Sequence, residues 1–195
     1  MRFAMSGRIL LISVFLLLFV TGTPKGWAQQ REVVKIRSVK ATLTKTPDYK
    51  MRESSQLRLR DWLQIVTEYE TQPEWLDELE LNHYVLLKNG KDSKEPFVLL
   101  QGSITFVHIE KGRKLVSVMY VHPSILARFG SLDSVVVEAK QTGRPSSVDG
   151  QGNWQQWQKW IQQLTPKAGY VLRPDQTPFA VLAADDYEMV RPVNR

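Results

Sequence analysis

The 195-residue chain carries 26 lysines and arginines, 20 acids and no cysteine. The missing thiols exclude disulfides, thiolate metal sites, cysteine nucleophiles and lipid attachment at an N-terminal cysteine. Setting aside Arg2, Arg8 and Lys25 in a leader leaves 23 basic against 20 acidic groups, a balance of +3 too mild to point to nucleic acid.

Arg2 and Arg8 open that leader with no acid to offset them. Ile9–Val20 is apolar except for Ser13, and Thr21–Ala28 loosens into turn formers. Gly26 and Ala28 stand at the small-residue positions a signal peptidase reads. Twelve residues make about 18 Å of helix against the roughly 30 Å of a bilayer core. Residues 1–28 are therefore expected to be a cleavable signal peptide, with an uncleaved anchor as the alternative. The mature chain, residues 29–195, is expected to be one domain with a polar end at 188–195. Its expected location is a periplasm or the cell exterior, with membrane contact only through the transient leader. A cysteine-free domain of this size suits a bacterial exported protein.

Period-two alternation dominates the mature chain and predicts strands. Val34 and Ile36, then the offset Val39, Ala41 and Leu43, mark a first strand with a basic open face, as edge strands often have. Thr46–Glu53 reads as a loop. Leu57, Leu59, Trp62, Leu63, Ile65, Val66 and Tyr69 mark a second strand whose parity shift near Asp61 suggests a bulge. Gln72-Pro73 turns the chain. Leu79, Leu81, His83, Val85 and Leu87 share one face of a third strand, stopped at Asn89-Gly90.

Phe97–Ile109 and Arg113–His122 flank Glu110-Lys111-Gly112 and read as a hairpin. A three-residue loop would pair Phe106 with Val116 and Ile104 with Val118, keeping one face apolar. Pro123–Phe129 reads as a short helix stopped by Gly130, and Val135–Val137 as the middle of a strand. Thr142–Asn153 is the most loop-like stretch. Asn153 is expected to cap a helix from Trp154 to Leu164. Tyr170–Arg173 and Phe179–Leu182 read as short strands, with a polar tail over Asp185–Arg195. The sum is a mainly-β fold: an antiparallel β-sandwich of about seven or eight strands with one or two short helices.

A search for chemistry identifies no catalytic, metal or cofactor residues. In the predicted hairpin His108 faces Lys114 and His122 faces Leu100, about 24 Å apart at strand rise, too far to share a metal. His83 alternates with aliphatic residues and reads as a core histidine. No Gly-x-Ser-x-Gly, Ser-x-x-Lys or HExxH motif occurs. An enzyme is not expected.

Two surface features remain. Residues 29–60 hold nine basic and three acidic groups, whereas residues 61–80 hold seven acids and no base. Either two neighbouring strands attract each other through solvated faces, or the molecule carries separate basic and acidic edges suited to head-to-tail contact. Lys35, Arg37 and Lys40 would form one edge, and Glu74, Asp77, Glu78 and Glu80 the other. Trp154, Trp157 and Trp160 fall with Ile161 and Leu164 inside a 120° helical arc, at 100° per residue. That arc either docks a helix on the sandwich or offers a stacking surface for a glycan or partner.

The stretch Pro96–His122 (PFVLLQGSITFVHIEKGRKLVSVMYVH), the following Pro-Ser-x-x-x-Arg-Phe-Gly and Tyr170–Tyr187 (YVLRPDQTPFAVLAADDY) resemble the pilus-like exported proteins of Verrucomicrobia. The resemblance implies an immunoglobulin-like β-sandwich similar to that of some archaeal pilins. It also implies a surface or periplasmic role beside pili or secretion components, without catalysis, and it brings no functional residues. One departure stands out. Gly7 is followed by Arg8 and an apolar run without the glutamate of a type IV pilin processing site, so an accessory or assembly-associated role is expected. The expected function is contact with other proteins, through self-association or with pilus and secretion components. A glycan- or cell-wall-binding module using the tryptophan helix is the alternative.

Overall fold

The computed structural model describes residues 33–47, 60–90, 95–182 and 189–192. By contact the chain divides into residues 1–30 and 31–195. The signal-peptide assignment, Leu57 and Leu59, and most of the Thr46–Glu53 loop lie outside the described residues.

Two sheets face each other. The first runs in the order β1 (Val34–Lys45), β2 (Asp61–Thr71), β5 (Leu115–Val121) and β9 (Val171–Leu172). The second runs β7 (Arg144–Gln151), β6 (Ser131–Gln141), β3 (Trp75–Lys88), β4 (Phe97–Glu110) and β8 (Lys167–Ala168). All neighbours are antiparallel except β4 and β8. Two short helices, α1 (Pro123–Phe129) and α2 (Trp157–Gln163), complete the frame. The expected mainly-β sandwich is what the chain forms.

The core lies between the sheets. Leu63, Ile65, Tyr69, Met119 and Val121 of the first face Leu79, Leu81, Val85, Leu100, Ile104, Phe106, Val135 and Val137 of the second, all buried. Each such aliphatic or aromatic side chain stabilises the fold by about 1.5–3 kcal/mol relative to an exposed one. β1 is the expected edge strand, and the parity offset between Ile36 and Val39 is a register shift between Ile36 and Ser38. No irregularity occurs at Asp61, which pairs in register with Lys45. Trp62 and Leu63 are both buried because β2 is covered on both faces: Leu63 points into the core, while Trp62 packs beneath Phe179 on the outside.

Four local readings need correction. The β4–β5 hairpin does not form, because the link through Lys111–Lys114 carries the chain from one sheet to the other. Phe106 pairs with Leu79 and Ile104 with Leu81, whereas Val116 pairs with Glu68 and Val118 with Val66. The expected pairings His108–Lys114 and His122–Leu100 therefore do not exist either.

The loop-like Thr142–Asn153 is largely strand β7, entered through Thr142 and Gly143 at φ 49° and 76°. It lacks apolar alternation because its side chains bond the facing strand edge. Ser146 and Ser147 accept from the Val34 and Ile36 amides, and the Gln151 amide oxygen accepts from Ala41. These contacts satisfy edge groups on β1 that would otherwise invite another strand.

Asn153 makes no side-chain cap. A 3-10 turn at Trp154–Gln156 precedes α2. Phe179–Leu182 is a turn and not a strand, since stacking Phe179 on Tyr120 at 4.3 Å seats the ring over the outer face of the first sheet. In the tail, Met189 and Arg191 bond the backbone of Val107 and Thr105 and extend the β4 edge.

Candidate functional site

Tertiary structure divides the charged segment that is continuous in sequence. Lys35, Arg37 and Lys40 lie exposed on β1, opposite its core residues Val34, Ile36 and Val39. They occupy the outer face of the first sheet. On β2 Lys35 faces Glu70 and Lys45 faces Asp61, whereas Lys40 faces Val66. Arg37 forms an ion pair with Glu70, and Lys45 Nζ lies 3.2 Å from Asp61. Asp61 and Glu70 thus engage basic residues of the neighbouring strand β1.

Gln72-Pro73 then moves the chain to the other sheet. Glu74 sits in that turn, Asp77 is exposed on β3, and Glu78 and Glu80 alternate with core-facing Leu79 and Leu81. Glu78 and Glu80 thus lie on the outer face of the second sheet, away from Lys35 and Lys40. The structure does not bring the predicted basic and acidic sets together within one molecule. Glu78 is held by Arg191 at 2.7 and 3.1 Å. Among the described residues, Lys35, Lys40, Glu74, Asp77 and Glu80 make no ion pair.

The sequence reading missed Trp75. Its side chain is 61% exposed at the start of β3, beside Gln72, Pro73, Asp77 and Glu78 around an open hollow. Trp75 shares the odd parity of Leu79 and Leu81, so alternation alone would have buried it. Parity changes at Asp77, opposite His108 at φ 53°, which puts Leu76 in the core and Trp75 outside.

Trp154, Trp157 and Trp160 are half-buried, and with Ile161 and Leu164 they pack on Tyr84, Leu86, Leu99 and Val136. The Trp157 and Tyr84 rings lie 5.5 Å apart. Much of the 120° arc is therefore spent on the outer face of the second sheet. Burial raises the Tyr84 phenol above its usual pKa, and the Glu138 carboxylate adds to this. Burial works to lower the Lys140 ammonium, but its hydrogen bond to Glu138 and the Glu138 charge outweigh that and hold it above the ordinary value. Trp157→Ala is expected to cost about 2 kcal/mol, below the 3–5 kcal/mol of a fully buried aromatic truncation. Urea denaturation should show a lower midpoint at unchanged slope.

His122 caps α1, its Nδ1 accepting from the Ser124 amide at 3.1 Å. His108 is exposed on β4 at φ 53°, and His83 is buried on β3. Among the described residues no three His, Asp or Glu side chains gather into a metal-sized group, and no helix is long and apolar enough to cross a membrane.

A family model of pilus-like proteins matches residues 26–193, nearly the whole chain. The chain belongs to the verrucomicrobial pilus-like protein family. The crystal structure of a protein from Akkermansia muciniphila superposes with a TM-score of 0.68 at 18% identity, covering 83% of this chain and 94% of that one. At that identity the likeness speaks for a shared sandwich fold. No curated protein matches the sequence.

Proposed function

We propose that this chain is an exported, non-enzymatic component that works by protein–protein contact beside a pilus-like or secretion apparatus. Copies join head to tail, the basic face of β1 in one meeting the acidic stretch of β3 in the next. The observation that carries this reading is that Lys35, Arg37 and Lys40 lie on the outer face of the first sheet, whereas Glu78 and Glu80 lie on that of the second and Glu74 in the turn leading to it. The two sets cannot meet each other within one molecule, which favours a heterologous contact. Among the described residues Lys35 and Lys40 on one side and Glu74 and Asp77 on the other make no ion pair, while Glu80 stands across from Lys140. Trp75 adds an apolar anchor at the acidic end, the residue type most often dominant in an interface. Membership of a pilus-like family supports the setting.

Sedimentation velocity on the mature domain tests it. Association is expected at low salt and should weaken at least about tenfold toward 1 M, as the screening length falls from about 10 Å to about 3 Å. Lys35→Glu with Lys40→Glu should abolish association, as should Glu74→Lys with Glu80→Lys. Mixing the two charge-reversed proteins should restore a contact between them. Association indifferent to salt, or no rescue in the mixture, would overturn the reading.

A further inference from the structure

A cavity of about 400 Å³ opens at the seam between the sheets, on the side away from β1 and β7. Ile104 and Phe106 of β4 and Val118 of β5 give it apolar walls, joined by Val190 of the tail, which makes a single antiparallel bridge to Phe106. Arg173, just past β9, supplies a polar wall. Its side chain is only 11% exposed, unusual for an arginine.

The arginine is incompletely used. Nη1 donates to the Arg191 carbonyl at 3.2 Å, and Nη2 donates to the Asp175 carboxylate at 2.7 Å. Nε is buried and meets no acceptor among the described residues. Nε–H and Nη2–H form the parallel fork that matches both oxygens of one carboxylate, and Asp175 engages a single arm of it. A buried donor without an acceptor is costly and calls for an explanation. Asp175 is itself 60% exposed, so it can move into solvent and release the fork. The second guanidinium at the cavity, Arg191, is held by Glu78 and does not compete.

We propose that this cavity binds an apolar carboxylate: the hydrocarbon rests on Ile104, Phe106 and Val118, and the carboxylate replaces Asp175 on the Arg173 fork. The size suits a small ligand, since pockets for such molecules run about 300–1,000 Å³ with mostly apolar walls and few polar groups. Either a free fatty acid or the C-terminal residue of a peptide has this chemistry. The site is independent of the charged faces, so its failure would leave the head-to-tail reading untouched.

Isothermal titration of the mature protein with octanoate and with N-acetyl-leucine separates the two sources. Octanol and N-acetyl-leucinamide are the partners lacking a carboxylate. Binding by one acid or both, at least about tenfold tighter than by the matching neutral compound, is the expected result, and the acid that binds names the source. Arg173→Gln should remove that preference, and Arg173→Lys should restore little of it, because an ammonium lacks the fork. Asp175→Asn should tighten binding several-fold by removing the competing carboxylate, an effect opposite in sign to structural damage. The proposal is overturned if neither acid binds at millimolar concentration, if acid and neutral compounds bind alike, or if Asp175→Asn weakens binding.

Discussion

Acidifying the protein from neutral pH to about pH 4 is expected to remove about 3 kcal/mol of stability through His83 alone. The His83 ring lies wholly inside the sandwich, where Nδ1–H donates to the Leu81 carbonyl at 3.2 Å and Nε2 has no partner among the described residues. Burial pushes its pKa down from 6.5 to about 4, against the Leu81 hydrogen bond, which pulls the other way. Its cross-strand neighbours are Gly102 on β4 and Val137 on β6, neither of which can offset a charge. As pH falls through about 6.5 the unfolded chain takes up a proton at His83 that the folded chain refuses. The unfolded state binds more protons throughout this window. The stability is therefore whole above 6.5 and drains away until the folded ring titrates near 4. Urea denaturation at a series of pH values reads the loss directly. The interval from 6.5 to 5 is most informative, since about 2 kcal/mol should disappear there before ordinary carboxylates titrate. His83→Gln should be less stable at pH 7 but nearly flat across that interval. A wild-type protein equally stable at both ends would refute the buried neutral ring.

Gly130→Ala should destabilise by about 3 kcal/mol, at the upper end of what a strained backbone residue costs. Gly130 ends α1 at φ 98° and ψ −162°, a region essentially reserved for glycine. Space is lacking as well. A β-carbon there would stand 2.1 Å from the Lys88 carbonyl oxygen and 2.9 Å from the Asn89 α-carbon. Both are backbone atoms, and Lys88 is fixed by pairing with Phe97 and Ser131. The junction cannot yield without disturbing the end of three strands. For a domain of this size the melting temperature should fall by roughly 6–12 °C. Gly90→Ala is the matching control, because nothing lies within 4 Å of a β-carbon there. It should shift the midpoint by about 2 °C or less, within the small range of ordinary surface changes. Equal melting of the two variants would mean that the α1–β6 junction is not built this way.

Gly130 also illustrates what is legible in the sequence. Proline at the start and glycine at the end delimit α1 to the residue, since both signals act locally on φ and on the amide donor. Alternation located β1, β3 and β6, and it registered the offset in β1. It failed on β7, whose serines and glutamine serve by bonding the β1 edge and not by burying apolar surface. It failed on the β4–β5 hairpin for another reason: each strand has an apolar face that any neighbour could cover. Competition from β3 and β2 decided the outcome, and neither competitor adjoins that turn in sequence.

The candidate surfaces show the same division. The basic and acidic blocks are visible as composition, but their placement depends on the change of sheet at Gln72-Pro73. That turn sends Asp61–Glu70 to lie beside the lysines and Glu78 and Glu80 to the far side. Arg173 could not be singled out at all, because its half-used fork exists only where β9 and the tail segment around Arg191 converge.

The sequence by itself determined the sandwich class, most strand positions and the limits of the first helix. These rest on side-chain period and on the backbone preferences of single residues. Only the tertiary structure decided which strands are neighbours, which charges share a face and where a cavity opens. Strand backbones offer similar donors and acceptors to any partner, so pairing is settled by burial summed over segments far apart in the chain.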